Sequence, residues 1–307
     1  MTWDPRVLPR QDGRTVVVTG GNAGIGYFTS EQLAAAGARV ILASRSRDKT
    51  ERAMAALRDR VPDAQVAFVE LDIASFASIR RAAEELRAQG PIAALINNAG
   101  QVIPPGSRQE TADGLELLVG GNAIGHFLLT ALLLPALEPT GRVVGLGSLS
   151  TRLVTLEPED LLSVRRYRGF RAYAFSKHAV HGFAFELDRR LRAAGDARAS
   201  LLAHPGYAVT ELAEQVPGVN DKKSTPHRLV GRLSAPFAQG KDRGAWPSVR
   251  AALDPAAQSG EFYGPGGFSE LKGTPRVVAP VASSASLEFG ARLWALAEES
   301  TGQSVEL

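Results

Sequence analysis

The chain has 307 residues, with 35 Lys and Arg against 32 Asp and Glu, 44% hydrophobic and 22% charged residues, and no cysteine. A chain this long buries roughly three quarters of the surface it exposes when unfolded, so it needs no staple, and its ordinary composition excludes disorder, collagen and coiled coil. The missing thiols exclude disulfides, thiolate nucleophiles, iron–sulfur clusters and Cys-based zinc sites, and the net charge of +3 is not gathered into the basic stripe of a nucleic-acid binder, apart from Arg165, Arg166, Arg168 and Arg171.

Met1–Arg14 carries Asp4, Arg6, Arg10 and Asp12 and has no apolar run, so it does not read as a signal peptide. Thr15–Thr19 (TVVVT) reads as a buried strand, and Ile25–Ala36 as a helix stopped at Gly37. Arg39–Ala43, Gln65–Leu71 and Ala93–Ile96 follow as strands, separated by helical patterns over Asp48–Arg60 and Ser75–Ala88. Asp113–Leu137 reads as a long helix bent at Gly120 and Gly121, each of which costs about 1 kcal/mol against alanine. Arg142–Leu146, a helix over Ala172–Ala194 and a strand over Ala199–Ala203 complete the alternation. Glu211–Asp254, with scattered Gly and Pro and two short helical patterns, reads as an insertion over a site. Glu261–Tyr263 is a candidate edge strand, and Ser286–Glu299 a final amphipathic helix with Leu287, Leu293, Trp294 and Leu296 as its apolar positions.

Short apolar strands alternating with helices predict an α/β fold: a Rossmann-type doubly wound parallel sheet covered on both faces. The expected layout is a single domain over 1–307, with a dinucleotide-binding and catalytic core at 14–210. A substrate loop and last edge strand would fill 211–285, and a C-terminal helix 286–300. The most apolar stretch, Phe127–Leu137, is 11 residues long, short of the roughly 20 that span a bilayer. The expectation is a cytoplasmic protein without a membrane partner.

Directly after the first strand stands Thr19-Gly20-Gly21-Asn22-Ala23-Gly24-Ile25-Gly26. Glycines let backbone approach a pyrophosphate closely, and the helix that follows offers free N–H groups and a partial positive charge. The second strand ends in Ser44-Arg45-Ser46-Arg47 without the carboxylate that would bind a ribose 2′-hydroxyl. Arg45 can pair with a 2′-phosphate and stack on adenine, and Ser44 can donate a hydrogen bond. NADP(H) is therefore the expected cofactor.

Tyr173 and Lys177 lie at i and i+4 on one helical face. A free tyrosine titrates near pH 10, and a nearby ammonium is expected to lower that value. Ser148 follows the fifth strand, where open α/β sheets bind ligands, and can polarise a carbonyl oxygen. A Tyr–Lys pair or a lone serine is a weak motif by itself.

Taken in order, these residues resemble the short-chain dehydrogenase/reductase family, from about Arg14 to Thr210. Thr19–Gly26 is similar to its TGxxxGxG cofactor motif, with Gly20, Asn22, Gly24, Ile25 and Gly26 as contacts. Leu71-Asp72-Ile73 resembles the segment that touches the adenine end, and Asn97-Asn98-Ala99-Gly100 the NNAG motif. Asn122, Ser148, Tyr173 and Lys177 resemble the catalytic tetrad, and His204-Pro205-Gly206 with Thr210 the segment along the nicotinamide. Arg45, the 25-residue spacing from Ser148 to Tyr173 and the long C-terminal section resemble the retinol-dehydrogenase-like, WW-domain-oxidoreductase-like and protochlorophyllide-reductase-like cluster, which prefers NADP(H). Gly147 replaces a common serine, and Gly120-Gly121 replace larger residues before Asn122. Both departures suggest a looser or larger site.

The resemblance implies hydride transfer between NADP(H) and an alcohol/carbonyl pair on a small, apolar molecule. Tyr173 would exchange the oxygen proton, Ser148 bind the oxygen, Lys177 hold the ribose, and Asn122 support a helix bend and a proton-relaying water chain. It also implies a homo-oligomer, dimer or tetramer, paired through the helices at 113–137 and 172–194. C=C reduction on the same fold and a non-catalytic NADP-binding sensor or scaffold stay open as alternatives. His178 and His181 lack a third ligand nearby and read as solvated or core residues rather than a metal pair. Tyr207, Phe237, Trp246, Phe262, Tyr263 and Phe268 are candidates for an apolar pocket or for ordinary packing.

Overall fold

The computed structural model describes residues 3–221 and 235–307. Part of the expected substrate loop, 222–234, lies outside the described residues. The strands β1 (Thr15–Thr19), β2 (Arg39–Ser44), β3 (Val66–Glu70), β4 (Ile92–Asn97), β5 (Leu137–Leu146) and β6 (Ala199–Ala203) are all mutually parallel where they pair. Ala208–Val209 (β7) and Gln239–Gly240 (β8) form a separate small ladder. Phe262–Pro265 (β9) joins β6 in parallel, and Pro275–Val277 (β10) closes the edge antiparallel to β9. The sheet order is β10-β9-β6-β5-β4-β1-β2-β3. The connection from β3 to β4 crosses back over β2 and β1, so the order reverses between β1 and β4, where doubly wound sheets open a ligand crevice.

Each strand alternates its buried side chains between two helical layers. Val17, Ile41, Leu95, Val143 and Leu202 face helices α3 (Phe76–Arg87), α4 (Leu117–Ala136), α5 (Gly169–Ala193) and α7 (Leu287–Thr301). Val16, Val18, Val40, Leu42, Ile96 and Val144 face α1 (Gly24–Ala35), α2 (Arg47–Arg60) and α6 (Trp246–Leu253). Burying a side chain of this size stabilises by roughly 1.5–3 kcal/mol.

Several elements depart from expectation for identifiable reasons. The edge is β10 rather than the strand near 261–263, because β9 is covered on its outer side by β10. Helix α6, expected in a cover over the site, lies on the sheet: Val249, Ala251, Ala252 and Leu253 are buried against Val144 and Leu201. In α7, Leu287 is exposed, and Phe289, Leu293, Trp294 and Ala297 form the buried face.

Helix α4 begins at Leu117 rather than Asp113. The Glu116 carboxylate accepts from the N–H groups of Leu118 and Val119, while Asp113 accepts from Phe76 N, at the start of α3. Its middle, Gly120–Gly125, is a π-helical turn, which is the expected bend. Gly125 lets α4 meet the chain end of β3, since a Cβ there would lie 2.0 Å from Ile73 O. The composite helix spans 20 residues at a mean hydropathy of 1.8, long and apolar enough to cross a membrane, so the 11-residue reading understated it. In the fold, most of that stretch is buried.

Helix α7 packs on α4 and α5. Trp294 stands edge-on to Phe127 at 5.1 Å and stacks on Phe183 at 5.7 Å, and a Cβ on Gly182 would meet Phe289 at 2.6 Å. The face of α5 that carries Gly182 and Phe183, part of the expected pairing surface, is therefore covered by the chain's own C-terminal helix.

Candidate active site

The glycine-rich turn leaves β1 and enters α1 at the carboxyl ends of the strands. Gly20 and Gly24 adopt φ of +66° and +58°, left-handed values that favour glycine. A Cβ on Gly26 would lie 2.2 Å from Gly20 O and 2.4 Å from Asn98 Nδ2, so only glycine lets the turn close on the helix. Helix α1 has no side-chain cap and no acidic residue in its first turn. Its unpaired N–H groups and positive dipole end thus face the cradle, chemistry suited to a pyrophosphate. Lys241, distant in sequence, adds an ammonium here: a Cβ on Gly24 would meet its Nζ at 3.6 Å. No sequence motif pointed to it.

At the end of β2 the two arginines separate. Arg47 lies over the Phe68 ring at 4.7 Å and pairs with Glu51 at 3.9 Å, whereas Arg45 is exposed and pairs with no described residue. Ser44 is buried and shares a 2.6 Å hydrogen bond with Thr50, so its hydroxyl is already engaged, contrary to the simple donor role expected for it. Asp72 accepts from Ala74 N at 3.0 Å and shapes the turn in which Ile73 sits.

The Asn98-Ala99-Gly100 segment ties β4 to β1. Asn98 Nδ2 donates to Thr19 O at 2.7 Å, and Ala99 N donates to Thr19 Oγ1 at 2.8 Å. A Cβ on Gly100 would come within 3.1 Å of Asn122 Oδ1, a tight contact that would press on this amide. Asn122 sits in the π turn and is nearly fully buried. Its amide accepts from Gln101 N at 2.9 Å and donates to Gln101 O at 3.2 Å and to Ser176 Oγ at 3.0 Å. Ser176 Oγ in turn donates to Tyr173 O at 2.8 Å, which links the α4 bend to the helix that carries the tyrosine. His126 Nδ1 donates to Asn122 O at 2.9 Å, leaving Nε2 to accept from Thr19 at 3.0 Å. Burial pushes this imidazole down to about 4, so it is neutral. Ser176, Gln101 and His126 were not singled out from sequence.

Ser148, Tyr173 and Lys177 come together where β5 ends beside the first turns of α5. Lys177 is buried, donates from Nζ to Leu146 O at 2.7 Å and lies 5.9 Å from the Tyr173 ring centre. Burial lowers its ammonium to about 8. Tyr173 differs from expectation. Desolvation raises its phenol above the ordinary value, and a hydrogen bond with Ser148 works in the opposite direction without overcoming it. Lys177 spends one of its three N–H groups on Leu146 O, and burial outweighs the Ser148 hydrogen bond at the phenol, so the tyrosine holds its proton.

Of the glycine departures, those at 120 and 147 are filled by neighbours, while at Gly121 a Cβ would stand at ordinary contact distance, 3.7 Å from Ala74 and 3.9 Å from Ile73. A Cβ on Gly120 would strike Thr111 at 2.8 Å and Leu115 at 2.9 Å, so that space belongs to helix packing. A Cβ on Gly147 would lie 2.4 Å from His181 Nε2: the imidazole fills the space, and Ser148 N donates to it at 3.4 Å. His178 is likewise a core residue, bonded to Ser284 and to Val154 O. Pro205 and Gly206 follow β6, with Gly206 at φ +65°, and Thr210 opens the 3-10 turn that follows β7. Of the candidate aromatics, Phe262 and Tyr263 are core, while Tyr207, Phe237 and Phe268 are exposed.

A family model described as short chain dehydrogenase matches residues 14–219. Polyprenol dehydrogenase from Mus musculus is 38% identical over 97% of this chain and 87% of its own length. Retinol dehydrogenase 12 from Homo sapiens is 38% identical over 82% of this chain and 77% of its own. An uncharacterised protein from Mycobacterium paratuberculosis, known from a crystal structure, is 34% identical with a TM-score of 0.81, covering 100% of both chains. These findings correct the expectation of a cytoplasmic protein without a membrane partner. Two of the relatives are named polyprenol dehydrogenase and retinol dehydrogenase, and the expectation is not supported.

Proposed function

The chain belongs to the short-chain dehydrogenase/reductase family, and on that premise we propose that it is an NADP(H)-dependent oxidoreductase interconverting an alcohol and a carbonyl on an apolar small molecule. The observation that carries this reading is the convergence of the Ser148 hydroxyl, the Tyr173 phenol and the buried Lys177 ammonium at the strand ends.

Residues Gly20, Asn22, Gly24, Ile25 and Gly26 would hold the pyrophosphate against the open α1 terminus. Arg45 would pair the 2′-phosphate, with Asp72 and Ile73 beside the adenine. Asn98, Ala99 and Gly100, with Pro205, Gly206 and Thr210, would flank the nicotinamide, and Tyr173 and Lys177 its ribose. The cofactor, when bound, supplies or accepts the hydride.

The protein's share is orientation, proton supply and charge stabilisation. Ser148 and Tyr173 hydrogen-bond the substrate oxygen. Because its pKa is raised, Tyr173 is fully protonated at neutral pH and delivers its phenolic proton to that oxygen during reduction. Loss of that proton creates a phenolate, which the Lys177 ammonium and the Ser148 hydroxyl stabilise. Asn122 holds the α4 bend against α5 through Ser176, keeping Tyr173 in register.

An apolar substrate fits the rim. Ile103 is exposed beyond Gly100, Leu153 beyond the Ser148 turn, Phe170 one turn before Tyr173, and Tyr207 next to Gly206. The names of the polyprenol and retinol dehydrogenases support the same class.

Titration with NADPH and NADH, followed by fluorescence, tests the cofactor assignment. Tight NADPH and weak NADH binding is expected, and equal affinity removes Arg45 from its role. Tyr173→Phe is expected to abolish NADPH oxidation with ketones or aldehydes while retaining NADPH binding. Retained turnover in that variant overturns the mechanism.

A further inference from the structure

One carboxylate joins the two flanks of this site. Glu270 Oε2 accepts from Arg152 Nη2 at 2.7 Å and from His204 Nε2 at 3.0 Å, and the residue is buried. Arg152 ends the 3-10 turn Leu149–Arg152, which Ser148 begins. The Ser148 hydroxyl accepts from Ser150 N, and Thr151 Oγ1 donates to Ser148 O, so the turn moves as a unit with Ser148. His204 directly follows β6, just before Pro205-Gly206. Its Nδ1 accepts from Gly206 N at 3.2 Å, which leaves Nε2 protonated and aimed at the carboxylate.

The surrounding backbone is built around this contact. A Cβ on Gly264 would lie 2.1 Å from His204 Nε2, so β9 admits the imidazole only as glycine. Ser269 and Glu270 adopt φ of +48° and +57°, left-handed values uncommon for residues with a side chain. That strained pair aims the carboxylate inward and places Leu271 O to accept from Tyr207 N at 2.8 Å. Gly206 passes so close that a Cβ there would lie 2.3 Å from Leu271 O. The segment 269–271 thus grips 204–207 by side chain and by backbone, while Arg152 ties it to the Ser148 turn.

We propose that Arg152, Glu270 and His204 form a positioning clamp that fixes the spacing between the substrate-oxygen donors at Ser148 and the nicotinamide-flanking segment Pro205-Gly206. This rests on the functional reading above. One oxygen takes both donors, so the two flanks cannot shift independently. Holding them sets the distance over which the hydride passes, a quantity to which rate is steeply sensitive. The three are positioning residues: they act through Ser148 and through the 205–206 backbone.

The test compares Glu270→Gln, Arg152→Gln and Arg152→Lys with the wild type. In Glu270→Gln, kcat is expected to fall roughly 10- to 100-fold while the NADPH dissociation constant stays within about three-fold, the pattern of an interaction realised in the transition state. The deuterium isotope effect with 4-deuterated NADPH should rise as hydride transfer becomes limiting. Arg152→Gln should match it, Arg152→Lys should restore part of the rate, and the double Gln variant should lose no more than either single one, as members of one unit do. A kcat within about two-fold of wild type, additive losses, or equal falls in kcat and NADPH affinity overturn the clamp. Arg152→Gln carries the same test if Glu270→Gln does not fold. Amide exchange at Gly206 and Tyr207 reads the clamp without any ligand: faster exchange in the variants supports it, and unchanged exchange overturns it. A wild type that neither binds NADPH nor reduces carbonyls overturns the functional reading instead, and the exchange arm still decides the clamp.

Discussion

Lys177→Met separates the energetic cost of this site from its function. Lys177 is fully buried, and desolvation lowers its ammonium from 10.5 to about 8. At about 1.36 kcal/mol per unit, that shift corresponds to roughly 3 kcal/mol by which the fold disfavours the charged form. The sign follows from proton counting. Between pH 8 and pH 10.5 the unfolded lysine holds its proton while the folded one releases it, so this contribution makes stability rise with pH across that window. Below about 8 the penalty is fully present; above 10.5 it is gone. Methionine carries no such term but leaves Leu146 O without its donor, at about 1–3 kcal/mol. At pH 7 the two effects nearly offset, and the variant should be equal to the wild type or up to about 2 kcal/mol more stable. Urea unfolding at intervals from pH 7 to pH 10 gives the decisive quantity, the difference between the two curves. Titrations common to both proteins cancel there, and the wild type should gain about 2–3 kcal/mol on the variant. Parallel curves would refute the claim that the site holds a desolvated ammonium. Turnover should be lost in the variant at every pH. In the wild type it should decline as pH rises through about 8, because the charged form of Lys177 is the one that stabilises the phenolate.

Gly26→Ala should weaken NADPH binding more than about ten-fold, since its Cβ would meet Gly20 O at 2.2 Å and the cradle must open to admit it; isothermal titration measures the loss. Arg45→Gln should cost NADPH roughly 10- to 100-fold in affinity, the worth of a charge-assisted bond, and leave NADH unchanged, which parallel titrations check. Gly147→Ser, which restores the residue common in the family, should destabilise by about 1–3 kcal/mol, because its Cβ would displace the His181 ring at 2.4 Å; thermal unfolding reads it, and an unchanged Tm removes His181 as the reason for the glycine.

What the sequence makes legible is what the local chain decides. β1 and β6 occupy the residues their β-branched and apolar runs indicate, and α2, α3 and α7 begin where Ser46, Ser75 and Ser286 accept from the first-turn N–H groups. Element ends set by distant partners are not legible. The start of α4 depends on Asp113 being taken up by Phe76 N of another helix. The strand at 275–277, Pro-Arg-Val, has no apolar pattern of its own and exists only as the antiparallel partner of β9. Helix α6 reads as part of a loop because its residues show their purpose only against Val144 and Leu201.

The site divides along the same line. Gly20, Gly24 and Gly26 are required by the turn's own geometry, and Tyr173 and Lys177 by helical spacing, so both sets stand out in the chain itself. The groups that hold them in place come from far away. Lys241 reaches the cradle from beyond β8, His181 fills the place of a side chain at 147, and Glu270 joins the turn after β5 to the end of β6. Among these, only His181 leaves a local trace, the glycine at 147 that makes room for it, as Gly264 does for the His204 ring that Glu270 accepts from. A glycine departing from a family motif therefore signals a neighbour as readily as a vacancy. At position 147 that neighbour is a neutral imidazole accepting from Ser148 N, with its Nδ1 buried and unpartnered among the described residues, so the space a side chain would take is filled by the ring that holds the start of the Ser148 turn.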